Sequence, residues 1–182
     1  GGSLLAEEQF RVETFQRRFL HSVLSRRVSP NLMRNMLRSG ADVWTQLGGQ
    51  RVRCVVLFTD LIGFTARSSA MEPEHLFTLL NRYFEVMAAP VLAEQGLLDK
   101  FIGDSVMAEF GVPQHRGDRE EALAAVRTAL AMQRNLHQLN KELAEEGQEP
   151  LRHGIGIHCG DVVAGNLGSS QRLEYTVIGG SV

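Results

Sequence analysis

The stretch LLDKFIGDSVMAEFG, residues 97–111, decides how the rest of the chain is read. Two apolar, strand-like runs, LLDKFI and SVMAEF, flank Gly103-Asp104, a dipeptide able to supply the positive φ that a tight hairpin turn needs. A hairpin accounts for Gly103 and tolerates Asp104. It gives no reason for Lys100 in so apolar a strand.

Around this hairpin the chain alternates helix and strand signals. Residues 4–27 carry Val12, Phe15, Phe19, Leu20, Val23 and Leu24 on a helical period. A second, short helix is signalled by Ser29 and Pro30 at its start and Gly40 beyond its end. RVRCVVLFTD (51–60) reads as a buried strand, and Leu76, Leu79, Leu80, Tyr83, Val86, Met87 and Val91 form a helical stripe between Pro73 and Glu94. Asp118, with Glu121 three residues on, reads as a capping box opening a long helix that Gly147 and Pro150 stop. LRHGIGIHCG, DVVAGNLG and RLEYTVIG read as three more strands. The order β, α, β, β, α, β with a further strand pair predicts a mixed α/β (α+β) fold. Its sheet would contain antiparallel strands and be covered by helices on one face.

With 182 residues, 43% of them hydrophobic, the chain can bury one good core. A net charge of -2 and a pI near 6.3 give no global attraction to nucleic acid, so a polyanionic ligand must be held locally. Cys54 and Cys159 lack metal or CxxC spacing, which fits a reducing compartment and predicts a cytoplasmic location. No membrane-length apolar run and no export signal is present, so this chain by itself is expected neither to span a membrane nor to be exported. Residues 1–3, Gly-Gly-Ser, read as a tag remnant.

The chemistry gathers at FTDLIGFT, residues 58–65. A strand ends at Asp60, and Gly63 lets the backbone approach a ligand closely before Phe64 and Thr65 lead into helix. A carboxylate followed by free backbone N–H groups can hold a metal-bound triphosphate without a basic patch. The plainer reading is an Asp that caps the next turn. Asp104 shifts the balance, because neighbouring strands would bring Asp60 and Asp104 to one sheet edge. Two hard oxygen ligands there suggest Mg²⁺ shared with substrate phosphates.

FTDLIGFT, LDKFIGDSVMAEFG, IGIHCGDVVAGNLGS and RLEYTVIGGSV resemble, in order and approximate spacing, the catalytic domain of class III adenylyl and guanylyl cyclases. The resemblance covers residues 45–182. FLHSVLSRRVSPNLMRNML before it looks like the helical lead-in of bacterial members, making residues 1–44 an N-terminal helical segment. The resemblance implies a ferredoxin-like palm that works as a head-to-tail homodimer with active sites at the interface. It implies catalytic carboxylates at Asp60 and Asp104, metal at Asp60, Leu61 and Asp104, and two Mg²⁺ or Mn²⁺ ions per site. Substrate contacts are implied at Ile62, Gly63, Phe64 and Thr65. Lys100 falls at the position that donates to adenine N1, and Thr176 at the position that accepts from the adenine amino group. Guanylyl cyclases typically have Glu and Cys at those two positions, so the pair favours ATP. An N-terminal sensor or membrane domain is implied for the full-length protein.

Two departures stand out. The family motif continues past GGSV with an Asn and an Arg that orient the ribose and neutralise the phosphorus, so the catalytic domain as given is expected to be C-terminally incomplete. Gly180 stands where many members have Asp.

The activity implied is adenylyl cyclase, converting ATP to 3′,5′-cyclic AMP and pyrophosphate by two-metal intramolecular phosphoryl transfer. The alternatives are a non-catalytic nucleotide-binding or dimerisation module and a guanylyl cyclase. A diguanylate cyclase is disfavoured, because the hairpin reads FIGDSV and not GGDEF. Elsewhere, His158-Cys159 reads as strand packing and Glu120, Glu121, Glu142, Glu145 and Glu146 as helix-surface charge. Arg11, Arg17, Arg18, Arg26 and Arg27, interleaved with Glu7, Glu8 and Glu13, read as the solvated face of a dimerising or signal-transmitting helix.

Overall fold

The computed structural model describes residues 2–38, 48–169 and 171–182. Gly40 lies outside the described residues, so the expected stop of the second helix is not tested there. The hairpin forms as read: β2 (Leu97–Ile102) and β3 (Ser105–Phe110) are joined by the two residues Gly103 and Asp104, with Ile102 opposite Ser105. Gly103 has φ 60°, the left-handed conformation the turn requires.

β1 (Gly48–Leu61) lies at the centre of a five-stranded antiparallel sheet ordered β2-β3-β1-β4-β5, with β4 at His153–Ser169 and β5 at Arg172–Ile178. The β, α, β, β, α, β order expected of a ferredoxin-like palm is present, extended by β5 at one edge. LRHGIGIHCG and DVVAGNLG are not two strands. They are one 17-residue strand, because β1 pairs with it without interruption from Gly48↔Asn166 to Leu61↔His153.

Before the sheet come α1 (Gly2–Leu24) and α2 (Pro30–Arg38). The short α3 (Phe64–Ser69) and α4 (Pro73–Ala93) connect β1 to β2, and α5 (Asp118–Glu145) connects β3 to β4. On one face of the sheet Val55, Leu57, Val106, Ala108 and Phe110 pack under Leu79, Tyr83, Met87 and Val91 of α4 and Ala124, Met132, Leu136 and Leu143 of α5.

Three expectations are corrected. The sheet is covered on both faces, because Cys54, Val55, Val56 and Leu57 are all buried and an alternating strand with no polar side needs cover on each. The second cover is the lead-in: Leu24, Val28, Leu32, Met33 and Met36 pack on Cys54, Val56, Met107, Val162, Tyr175 and Val177. Val12 and Phe15, expected in an apolar stripe, are exposed instead. The capping box at α5 is also absent. Gly117 is the N-cap with no side-chain cap, while Asp118 pairs with Arg53 and His115 and the buried Glu121 turns to Arg116. Ser29 is a true N-cap of α2, accepting from Leu32 N–H at 3.0 Å.

Candidate active site

Asp60 stands at the end of β1, one residue from its last, and is exposed. The β1–β3 register runs to Thr59↔Val106, so one further step sets Asp60 beside Ser105 and next to the hairpin turn that carries Asp104. Phe101 of the hairpin stacks on Phe84 of α4 with ring centroids 4.2 Å apart and planes at 12°, fixing the hairpin tip against the helix. Beneath this edge the Tyr83 hydroxyl lies 3.1 Å from Thr59 Oγ1 and 3.0 Å from His153 Nδ1. Burial pushes the Tyr83 hydroxyl up to about 12 against the hydrogen bond to Thr59, and the Asp104 and Asp60 carboxylates both add to the rise. Both acids therefore bear on one buried hydroxyl. Burial lowers the pKa of His153.

Among the described residues no cation pairs with Asp60 or Asp104, and no group of three or more His, Cys, Asp and Glu stands ready to cage a metal. Two hard carboxylates open to solvent suit Mg²⁺ or Mn²⁺, which keep waters and take substrate phosphates as further ligands. Leu61 buries its side chain in the core, so at this position only the main chain can serve. The same holds for Phe64, which anchors α3 in the core. Gly63, with φ 68°, is the N-cap of α3, and no side chain caps that helix. The Ile62 N–H is already given to Arg152 O at 2.8 Å, so Ile62 offers its exposed side chain and not its N–H to a ligand. Thr65 is exposed in the first turn of α3.

Lys100 and Thr176 lie on the outermost strands of the sheet, β2 and β5, yet they meet on one carboxylate. Thr176 Oγ1 donates to Asp99 Oδ2 at 2.8 Å, and Lys100 Nζ is 3.8 Å from Asp99 Oδ1 and 3.5 Å from Glu174 Oε1. The sheet edges are drawn together by Arg27, in the turn between α1 and α2. Its guanidinium donates to Leu98 O at 3.0 Å, to Asp99 Oδ1 at 3.3 Å and to Tyr175 O, and its own carbonyl accepts from Leu98 N–H at 2.7 Å. This takes Leu98 out of step with β3. Leu98 faces Ala108 and Lys100 faces Met107, leaving Asp99 as the extra residue of a bulge that aims its side chain inward.

Sequence reasoning placed Arg27 on a solvated helix face and passed over Asp99 and Glu109. The latter is completely buried in β3, and no hydrogen-bond partner reaches either of its oxygens. Burial, and after it the neighbouring Asp99, raise its pKa well above the usual carboxylate range. The available signal was an acid within the apolar run VMAEF, where strand alternation points it to the lead-in side of the sheet.

Residues 49–182 match the adenylate and guanylate cyclase catalytic domain family. The chain is 39% identical to the guanylyl cyclase Cya2 and 38% identical to the adenylyl cyclase CyaB from P. aeruginosa. Each has a TM-score of 0.70, and the match covers 74% of this chain with 68% and 69% of those chains. It is 34% identical over 158 residues to Adenylate cyclase 1 of Rhizobium meliloti, covering 85% of this chain and 23% of that protein. The chain thus spans about a quarter of the curated relatives it matches. A mixed palm with an acidic pair at the β1–hairpin edge and a family match across nearly all of the sheet lead to one conclusion: the chain belongs to the class III adenylate and guanylate cyclase catalytic domains.

Proposed function

We propose that this domain is an adenylyl cyclase that forms 3′,5′-cyclic AMP and pyrophosphate from ATP. The observation that carries the reading is the meeting of Lys100 and Thr176 on Asp99. An ammonium donates to the unprotonated N1 of adenine and a hydroxyl oxygen accepts from its amino group, whereas guanine presents a proton at N1 and an acceptor at O6. A guanylyl cyclase and an adenylyl cyclase are about equally similar to this chain, so overall identity does not choose the base, and the reading for ATP rests on these two side chains.

In the reaction the ribose 3′-oxygen attacks the α-phosphorus and the bond to the bridging α,β-oxygen breaks. The 3′-hydroxyl proton goes to solvent and pyrophosphate leaves. Asp60 and Asp104 would hold the divalent cations, which supply charge neutralisation to the phosphates and acidify the 3′-hydroxyl. Gly63 and the uncapped first turn of α3 offer backbone donors to phosphate oxygens. No nucleophilic side chain is required, since both reacting atoms belong to one molecule and the protein's task is in-line positioning.

The proposal includes a homodimer in which Asp60 and Asp104 of one protomer work with Lys100 and Thr176 of its partner. Within one chain, the ion-pair partners of Lys100 are Asp99 and Glu174, and the metal carboxylates lie over Tyr83. A cytoplasmic location, and a sensor or membrane region elsewhere in the full-length protein, belong to the same proposal.

The test is incubation of a chain continued past Val182 with Mn²⁺ or Mg²⁺ and either ATP or GTP. Cyclic AMP and pyrophosphate should appear, with kcat/KM for ATP exceeding that for GTP by at least about tenfold. A preference for GTP would overturn the base assignment, and no cyclic product from either nucleotide would favour the non-catalytic module.

A further inference from the structure

We infer that Asp99 is the residue that makes Thr176 select adenine, by fixing the direction in which the Thr176 hydroxyl hydrogen bond runs. The inference rests on the ATP reading above and adds to it a residue that touches no substrate.

A threonine hydroxyl has one proton and two lone pairs, so left to itself it can donate to guanine O6 as readily as accept from the adenine amino group. Base choice from a threonine therefore needs something that commits the proton. A carboxylate does this because it can only accept. Thr176 Oγ1 lies 2.8 Å from Asp99 Oδ2, a hydrogen bond in which the hydroxyl must be the donor. What Thr176 then offers to a base is lone pairs alone. Adenine can donate to them, and guanine O6 meets acceptor with acceptor.

The surroundings of Asp99 keep it in that role. Its side chain is fully shielded from solvent, and Arg27 at 3.3 Å and Lys100 at 3.8 Å supply positive charge beside Oδ1. Glu109 is completely buried, and burial together with Asp99 raises its pKa well above the usual carboxylate range, which disfavours a second negative charge beside Asp99. Thr176 and Arg27 donate to Asp99 and the Lys100 ammonium stands beside it, so Asp99 is held as an acceptor. The bulge between Leu98 and Lys100 points it inward, and Arg27 holds that bulge through Leu98. Asp99 is thus a positioning residue for Thr176, anchored by the turn between α1 and α2.

The test measures coupling between positions 99 and 176 in the chain continued past Val182. One readout is cyclic product from ATP and GTP. The other, independent of turnover, is displacement of a ribose-labelled fluorescent nucleotide by ATP or GTP. Asp99→Asn keeps the shape but adds an amide that can donate to Thr176, freeing its proton for O6. The ATP-over-GTP ratio should fall about tenfold or more in both readouts. Thr176→Val should lower the ratio as well, Asp99→Asn should change it no further in that background, and Thr176→Ser should retain the preference. If Asp99→Asn alone does not fold, Arg27→Met/Asp99→Asn removes the paired charges together and takes its place. A wild-type preference for GTP would defeat the ATP reading, whatever position 99 does. An ATP-preferring wild type whose ratio survives Asp99→Asn, or falls equally with valine at position 176, would overturn the role of Asp99 and leave the ATP reading standing.

Discussion

The proposed metal edge and the proposed purine edge of this domain treat acidic side chains in opposite ways. Asp60 and Asp104 sit near solvent with no cation paired to them among the described residues, whereas Asp99 is buried among Arg27, Lys100 and Thr176. An acidic pair without protein counter-ions is available to whatever cation arrives with the substrate. A carboxylate surrounded by donors is already satisfied, and what it contributes is direction. Substitution at the first edge should therefore cost activity with little change in stability, and at the second it should cost stability as well.

The largest effect belongs to the metal edge. If Asp60 and Asp104 hold the cations as proposed, Asp60→Asn or Asp104→Asn removes a charge that balances them, a loss of several kcal/mol in the transition state and so roughly a thousandfold in turnover. The melting temperature should move by no more than about 2 °C, as for an exposed substitution. Metal-dependent cyclase assays on a chain continued past Val182, paired with thermal melts, check both halves. Near-normal turnover in either variant would remove that residue from the site.

A mixing experiment sharpens the comparison, because it asks whether the two edges serve the same active site. In the proposed dimer a pair of one Asp60→Asn chain and one Lys100→Ala chain puts both lesions in one site and leaves the other intact. Two individually inactive variants should then recover up to about a quarter of wild-type activity, since about half the dimers are mixed and each has one good site of two. No recovery, with chain exchange shown by a tag pull-down, would put both edges of one chain in one site.

The purine edge carries the stability effect. Arg27→Met strands the buried Asp99 carboxylate and cuts the tie between β2 and β5, at a cost on the order of 3 kcal/mol and a drop in melting temperature of roughly 8 °C. Denaturant titration gives the value directly, and a change no larger than that of Asp60→Asn would erase the distinction between the edges.

The two edges also differ in how far the sequence disclosed them. The metal edge is built from short, contiguous pieces: a strand ending at Asp60, a glycine at position 63 and a two-residue turn holding Asp104. Local rules read each, and only the β1–β3 register had to be supplied by the fold. The purine edge draws on the α1–α2 turn, β2, β3 and β5. Lys100 and Thr176 were read from the family motif, but nothing local says that a bulge turns Asp99 inward or that Arg27, beyond the end of α1, turns in to meet it. The single long β4 was hidden for a related reason, since its glycines resemble turn signals until β1 is seen pairing straight across them. The lead-in was read as an appendage because an amphipathic pattern shows that a helix has an apolar side and is silent on which sheet face it covers.

The smallest effect isolates Glu109 and tests whether the purine edge holds a proton. Its pKa is well above the ordinary value of 4.5 in the folded chain, chiefly through burial and then through Asp99. Between those two values the folded state binds a proton that the unfolded chain has lost. Stability from this group is therefore greatest on the acid side and falls as pH rises above about 4.5, by at most about 1.4 kcal/mol per unit. His153 works in the other direction, because its lowered pKa means the unfolded chain gains protons first as pH falls through about 6.5, which costs stability on the acid side. Glu109→Gln keeps the size of the side chain but cannot titrate. Relative to wild type it should flatten the decline in denaturation midpoint as pH rises above about 4.5 and leave the acid limb set by His153 in place. An unaltered pH slope in the Gln variant would mean that Glu109 does not carry the proton. Asp99 would then face a second negative charge, and the surroundings that keep it a pure acceptor would have to be redrawn.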